Sequence, residues 1–191
     1  MKFIIIAISL LFAGCAGLPR PENRPRPTEV FFAEIRLVTG HSTKAEQDRT
    51  GFVFYIEEDK AAGGPALVGY RYTHGKLIQT FGGGSDSAPI VAELRAVGLQ
   101  PFDFEKETKW CDENFQPVPD ADGIVKTPFA LDGAEYEIVI KTPAGPFHLK
   151  EVNPSTAIDY YAPNSPNIAK LKKTLDILSL YYGRHELWLG I

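Results

Sequence analysis

Two short motifs bring together residue types that could do chemistry, and each lacks a residue that the chemistry needs. The run Gly83-Gly84-Ser85-Asp86-Ser87 has Ser87 where the sharp turn around a nucleophilic serine needs glycine. The same glycines are not followed by the lysine of a phosphate-binding loop. His185-Glu186 begins a zinc-protease pattern, but Leu189 occupies the position of its second histidine. We therefore assign no catalytic residue from motifs.

The residues that commonly bind metals also lack the spacing of a metal site. His41, His74, His148 and His185 fall on different predicted elements, and no pair has the separation of zinc ligands. Acidic residues gather in the middle of the chain, but lysines interleave with them and the spacing matches no calcium loop. These acidic residues are Asp103, Glu105, Glu107, Asp112 and Glu113. We expect no metal and no cofactor, with zinc held only through tertiary contacts as the alternative.

Aromatic residues in two segments without clear periodicity are the candidate binding residues. Tyr160 and Tyr161 lie between two proline-containing turns, and Phe104 and Trp110 lie in the acidic segment. Large aromatic side chains on rigid loops are typical of protein or glycan recognition. The alternative is that they fold back over the edge of the sheet as part of the core.

The pattern of apolar residues predicts the strands that would position these side chains. Apolar residues recur at every second position over 31–37 and 52–57, as in half-buried strands. They are Phe31, Ala33, Ile35 and Leu37, and then Phe52, Phe54 and Ile56. Two hairpins are predicted around turns that contain glycine. Their strands cover residues 66–72, 76–81, 134–141 and 146–152, and a final strand is expected at 187–191.

Two helices are predicted from apolar stripes and capping residues. The first surrounds 90–97, with Ser85 or Ser87 as its cap and Gly98 as its end. The second covers 166–182, between Ser165 and Gly183. We therefore predict an α+β domain whose mainly antiparallel sheet is built from hairpins, with both helices packed on one face. Residues 99–132 are the least regular stretch, and 102–115 and 153–165 are expected to be irregular segments that carry the function.

The N-terminal residues have the pattern of a secretion signal. Lys2 precedes an apolar run from Phe3 to Phe12, which is too short to cross a bilayer, since that takes about twenty residues. The segment Leu11-Phe12-Ala13-Gly14-Cys15 resembles the bacterial lipobox, in which signal peptidase II cuts before a cysteine that carries diacylglycerol. Phe12 departs from the branched aliphatic residue that is usual at its position.

The lipobox resemblance implies a lipoprotein precursor with a signal peptide over 1–14 and a lipid on Cys15 that anchors the mature chain to a membrane. Ala16 follows the cysteine, in place of the aspartate that retains such proteins at the inner membrane. The implied location is the cell envelope, at the outer membrane if the host is Gram-negative. Whether the domain faces the periplasm or the surface is left open.

After the lipidated cysteine, residues 15–28 are predicted to form a tether and 29–191 a single α+β domain. Four prolines between Leu18 and Thr28 favour an extended, stiff spacer. Without the signal peptide the formal charge of −4 becomes −5, because Lys2 is lost, and this acidity argues against a nucleic-acid partner. Cys111 is then the only cysteine besides Cys15. We expect it to be a partly buried small apolar residue in a monomeric protein, with a reactive or intermolecular thiol as the alternative.

Together these features predict a non-enzymatic envelope lipoprotein that presents a small binding domain to a protein or glycan partner. One alternative is a small envelope hydrolase whose site assembles only in three dimensions. Another is a periplasmic protease inhibitor, because the element order is similar to that of small bacterial inhibitors such as emfourin. No motif accompanies that similarity, so no residues are carried over from it.

Overall fold

Six antiparallel strands form the sheet in the part of the chain that the structure describes. The computed structural model describes residues 31–38, 50–59, 64–73, 76–82, 87–115, 122–123 and 134–183. In chain order the strands are β1 (Phe32–Val38), β2 (Thr50–Asp59), β3 (Gly64–Thr73), β4 (Lys76–Gly82), β5 (Glu135–Thr142) and β6 (Gly145–Val152). Their order across the sheet is β4-β3-β2-β1-β5-β6, and every pair is antiparallel. β4 and β6 are therefore the two edge strands among the described residues.

The helices of the described residues are α1 (Ala88–Val97), α2 (Phe104–Asn114), α3 (Pro154–Tyr161) and α4 (Pro166–Tyr182). The predicted α+β class with an antiparallel sheet is confirmed. The prediction of two helices is wrong, because α2 and α3 also form and pack into the main core. Both fall in segments that were expected to be irregular.

The two predicted helices have the predicted ends. The side chain of Ser165 accepts a hydrogen bond from the backbone N–H of Ile168, and Gly183 ends α4 in the left-handed conformation with φ 78°. Gly98 ends α1 in the same way, with φ 59°. Ser87 stands at the N-cap of α1, but its hydroxyl accepts from the backbone N–H of Leu67, 3.0 Å away, and so ties the helix to β3.

One face of the sheet carries the main core. Alternate residues of the central strands point to this face, where the apolar stripe of α4 and the buried side of α1 pack on them. Phe52, Ile138, Leu171 and Leu175 are each at most 2% exposed. The periodicity that predicted these elements thus identified the core residues.

The opposite face of the sheet is apolar at β2 and β3, which the alternation did not predict. Val53, Tyr55, Val68, Tyr70 and Tyr72 form a second buried cluster there, with Leu77 packed against it. The expectation that β2 is buried on one face only is wrong, because Val53 and Tyr55, between its core positions, are β-branched or aromatic rather than charged.

The β5–β6 hairpin closes with the two-residue turn Pro143-Ala144. The hydroxyl of Thr142 accepts from the N–H of Ala144 and donates to the carbonyl of Gly145, at 3.2 Å each. Gly145 has φ 131°, which side chains rarely allow, so the glycine at this corner is required. The hairpin predicted for this region is confirmed.

Other predictions lie outside the described residues. They concern the leader and tether with Cys15, the turn at 74–75 and the final strand at 187–191. No helix in the described ranges combines the length and the apolar character needed to cross a membrane.

Candidate functional site

Helix α2 forms in a segment that has few apolar residues. Asp103 starts it by accepting a hydrogen bond from the N–H of Lys106, at 3.1 Å, and Glu105 and Glu107 in the first turn complement the helix dipole. Phe104 and Cys111 are its buried residues. The expectation of an irregular segment over 102–115 is wrong because two buried residues seven apart are too sparse a stripe to recognise.

Helix α3 forms where the second irregular segment was expected. Pro154 occupies its first turn, and Asn153 before it adopts the left-handed conformation with φ 46°. The helix buries Ala157, Ile158 and Tyr161 on one side. The expectation of an irregular segment over 153–165 is therefore wrong.

Contacts at the N-terminal end of α2 hold it beside the sheet and α4. Before its start, Phe102 stacks on Phe147 of β6, with ring centroids 4.8 Å apart. In its first turn, Glu107 accepts hydrogen bonds from the hydroxyl of Ser165, at 2.7 Å, and from the amide of Asn167. These contacts fix the side of α2 that faces the edge strand β6.

The structure separates the four candidate aromatic residues into core and surface. Phe104 is 7% and Tyr161 4% exposed, and both belong to the main core. Tyr160 is half-buried and meets Tyr161 edge to face at 4.9 Å. Trp110 is 48% exposed and contacts Phe115, which is also exposed. The alternative of folding back over the core holds for Phe104 and Tyr161 and for Tyr160, which packs against the same core, while Trp110 remains a surface aromatic.

A cleft of about 580 Å³ lies between α2, α3 and β6, which we call the α2–β6 cleft. Such a volume is typical of pockets that bind ligands. Its lining residues are Asp103, Phe104, Glu105, Thr108, Lys109, Asp112, His148, Leu149, Lys150, Glu151, Ala157 and Tyr161. The buried members, Phe104, Leu149, Ala157 and Tyr161, are apolar or aromatic. The cleft therefore has a buried, largely apolar floor and a charged rim.

Helices α2 and α3 form part of the floor and one wall of the cleft, because each has residues that face it at four-residue intervals. Phe104, Thr108 and Asp112 follow one another at four-residue intervals on α2, as do Ala157 and Tyr161 on α3, so each set lies on one side of its helix. Trp110 lies on the opposite side of α2 from this set. Of the four predicted binding residues, the cleft thus includes Phe104 and Tyr161 but not Tyr160 or Trp110.

A hydrogen bond across the floor joins the two helices. The hydroxyl of Tyr161 donates to the carboxylate of Asp112, with distances of 3.0 and 3.1 Å to its two oxygens. Burial first, and then the Asp112 carboxylate, raises the pKa of this hydroxyl far above its ordinary value. Tyr161 therefore stays protonated as a donor, and Asp112 keeps a fixed position at the cleft.

A polar network lies at the same edge of the sheet, on the face opposite the main core. Glu137 of β5 pairs with Arg36 of β1 and accepts from Nε2 of His148 at 2.8 Å. Burial acts to raise the pKa of Glu137, but the hydrogen bonds and charges of Arg36 and His148 outweigh it and hold that pKa below its usual value. The imidazole of His148 is thus turned to Glu137, although its residue also borders the cleft.

Sequence reasoning missed Asp112, Leu149 and Ala157 as members of one site. They lie on three elements, and only the spacing of 104, 108 and 112 on a recognised helix would have pointed to a shared side. Cys111 is 2% exposed, which is a deeper burial than the partial burial expected, and burial raises the pKa of its thiol. Among the described residues no group of three or more His, Cys, Asp or Glu is arranged to hold a metal ion.

Comparison of the chain with protein-family models, curated proteins and solved structures gives no match in any of the three.

Proposed function

We propose that this chain is an envelope lipoprotein, anchored to a membrane by lipid on Cys15, whose domain binds a partner in the α2–β6 cleft. The observation that carries the binding role is the cleft itself, because a buried apolar floor supplies contact area and a charged rim supplies orientation. The proline-rich tether over 15–28 would hold this site away from the lipid surface.

The state of the polar groups favours binding over hydrolysis. A general base must be able to reach the proton that it removes from a substrate or water. In the cleft, Asp112 is engaged by the hydroxyl of Tyr161, and His148 is engaged by Glu137 on the opposite face. Each group therefore already makes a structural hydrogen bond, and His148 makes its bond on the face turned away from the cleft.

Lipidation is tested by labelling cells that express the full chain with a palmitate analogue and weighing the mature protein. We expect label on a chain that begins at Cys15 and no label on Cys15→Ser. Uptake of label by the variant, or a mature chain that begins elsewhere, would contradict the anchoring proposal.

Binding in the cleft is tested by introducing a photo-reactive amino acid into α2 of the envelope-anchored protein. At position 109 the reactive group lines the cleft, whereas at position 110 it replaces Trp110 on the opposite side of the same helix. We expect cross-links to an envelope component from position 109 and far fewer from 110. The reverse pattern would move the binding surface to the exposed pair Trp110 and Phe115, and no cross-link from either would refute the proposal.

A further inference from the structure

The α2–β6 cleft runs along the open edge of the sheet. Four consecutive residues of β6 line it, from His148 to Glu151. Successive side chains of a strand point to opposite faces, so a cavity that meets four in a row lies beside the strand and not over one face. β5 occupies one side of β6, and no described strand occupies the other. The cleft is on that open side.

Hydrogen bonding in the β5–β6 pair decides which backbone groups face the cleft. The N–H of Asn153 donates to the carbonyl of Ala134 at 3.0 Å, directly beyond the pair of Glu135 with Val152. Backbone groups alternate sides along an antiparallel strand. Odd-numbered residues of β6 therefore point their N–H and C=O groups to β5, and even-numbered residues point theirs outward.

The outward groups are suited to pairing with another strand only in the middle of β6. Pro146 has no N–H, and the N–H of Val152 donates to the carboxylate of Glu151 at 3.2 Å. Between them, His148 and Lys150 present outward N–H and C=O groups beside the cleft. An extended chain alongside would satisfy these four groups, as in ligands that add a strand to a sheet edge.

The dimensions and charge of the cleft define what such a chain would contain. Four residues of β6 span about 13 Å at the usual rise of a strand, which matches about four residues of an added strand. The rim carries the carboxylates of Asp103, Glu105, Asp112 and Glu151. Lys109 and Lys150 also line the cleft. Asp103 pairs with Lys106 at 3.1 Å and Lys150 with Glu135 at 3.3 Å, which leaves three rim carboxylates against Lys109. The rim thus has an excess of negative charge.

We propose that the cleft binds an extended polypeptide segment of a partner protein, which adds as a strand to β6 and sets a lysine or arginine against Asp112. This inference rests on the proposed function and names the class of its partner. Strand addition supplies affinity through the backbone groups of His148 and Lys150. The acidic rim and the apolar floor select side chains, a basic one beside Asp112 and apolar ones over Phe104 and Leu149.

The experiment uses a displayed library of short random peptides selected against the folded domain. We expect the selected peptides to be rich in lysine or arginine next to apolar residues. On binding, the amide hydrogens of His148 and Lys150 should exchange more slowly. A library that gives no binder, or binders that leave both amides unprotected, would overturn the proposal.

A matched pair of variants separates the backbone of Lys150 from its side chain. Lys150→Pro removes an outward N–H without breaking the ladder to β5, a position where edge strands accept proline. We expect it to weaken peptide binding about tenfold, while Lys150→Ala, which keeps the N–H, has a much smaller effect. Equal affinities for the two variants would overturn strand addition. Leu149→Pro is the folding control, because its N–H belongs to the ladder and its loss should lower the melting temperature.

The basic residue is tested with Asp112→Asn and a peptide whose lysine or arginine is replaced by methionine. If the two groups meet, each change alone should weaken binding several-fold and the second should add little. Independent effects would overturn the pairing with Asp112. Protection of β6 caused by dimerisation of this chain, without peptide, would assign the edge to a second copy and overturn a separate partner.

Failure of this inference is distinguishable from failure of the proposed function. Cross-links from position 109 to a glycan, together with no peptide that protects β6, would overturn strand addition and keep the binding site. Peptides that protect β6, with no envelope component cross-linked at position 109, would keep strand addition and refute the envelope role.

Discussion

The hydroxyl of Tyr161 lies 3.0 and 3.1 Å from the two carboxylate oxygens of Asp112 and donates to that carboxylate. The contact joins residues 49 apart in sequence and fastens α3 to α2 at the cleft. Tyr161 is a core residue at its ring and a positioning residue at its hydroxyl, since it holds the acid that we expect to meet a basic ligand.

Tyr161→Phe should lower the free energy of unfolding by about 1 kcal/mol at neutral pH, because Asp112 is solvent-exposed and water replaces part of the lost hydrogen bond. Urea unfolding of the two proteins measures this difference. Tyr160→Phe is the matched control on the neighbouring ring. A loss as large for Tyr160→Phe as for Tyr161→Phe would contradict the role of the Asp112 contact.

The same substitution should flatten the alkaline limb of the stability curve. In the folded protein the pKa of Tyr161 is raised, whereas in the unfolded chain it is about 10. The contribution of Tyr161 to the free energy of unfolding is therefore fully present below about pH 10. It falls as pH rises further, because the tyrosine of the unfolded chain loses its proton at a lower pH than that of the folded protein. Burial of Tyr136 raises its pKa as well, so some of the loss should persist in Tyr161→Phe. Identical alkaline limbs would contradict this assignment.

Acid stability should depend on Glu137. Its pKa is lowered in the folded protein, mainly by Arg36 acting against the effect of burial. The stabilisation is present above the unfolded pKa of about 4.3 and is lost as pH falls through the lower, folded value. We expect Glu137→Gln to be less stable than the wild type at neutral pH and to lose less on acidification. Thermal melts at several pH values measure both, and parallel curves would refute the prediction.

The elements with dense apolar periodicity could be predicted from sequence, and the cleft could not. α4 presents a stripe of buried residues that includes Ile168, Leu171 and Leu175, and both its capping residues are where the sequence indicated. α2 buries only Phe104 and Cys111, and most of its other residues are charged. α2 is stabilised by capping at Asp103, which is a local interaction, and by the hydrogen bond of Glu107 with Ser165. The second interaction is tertiary, so local sequence does not reveal it.

The residues of the candidate site also divide into those that could be selected from sequence and those that only the tertiary structure reveals. Phe104 and Tyr161 were selected from the sequence as aromatic residues of two irregular segments. In the structure these segments form the helices α2 and α3. Their neighbour Asp112 gained its role only when α3 met α2. The outward backbone N–H and C=O groups of His148 and Lys150 are available only because β6 lies at the edge of the sheet. Local periodicity does not predict the order of strands.

The packing of α4 gives a stability prediction with an internal control. Leu175 is 2% exposed in the core and Leu180, on the same helix, is 65% exposed. Leu175→Ala should cost about 2–5 kcal/mol through lost burial and a cavity, while Leu180→Ala should change stability by less than about 0.5 kcal/mol. Chemical denaturation measures both. A small effect at Leu175 would mean that this side of α4 does not cover the sheet.

Cys111 offers a direct measure of how firmly α2 closes the wall of the cleft. A chain that starts at Thr28 lacks Cys15, so Cys111 is its single thiol. This thiol is 2% exposed, and burial together with Glu107 and Asp112 raises its pKa, which lowers the fraction of reactive thiolate. We expect labelling by a thiol reagent to be slow in the folded protein and to become fast in denaturant.

A pair of variants tests whether the thiol is exposed only when α2 moves. Asp103→Ala, which removes the N-cap, should speed labelling of Cys111. Glu113→Ala, on the exposed surface of the same helix, should speed it less. Equal rates for these two variants, or fast labelling of the wild type, would show that α2 opens readily and that the cleft is not preformed.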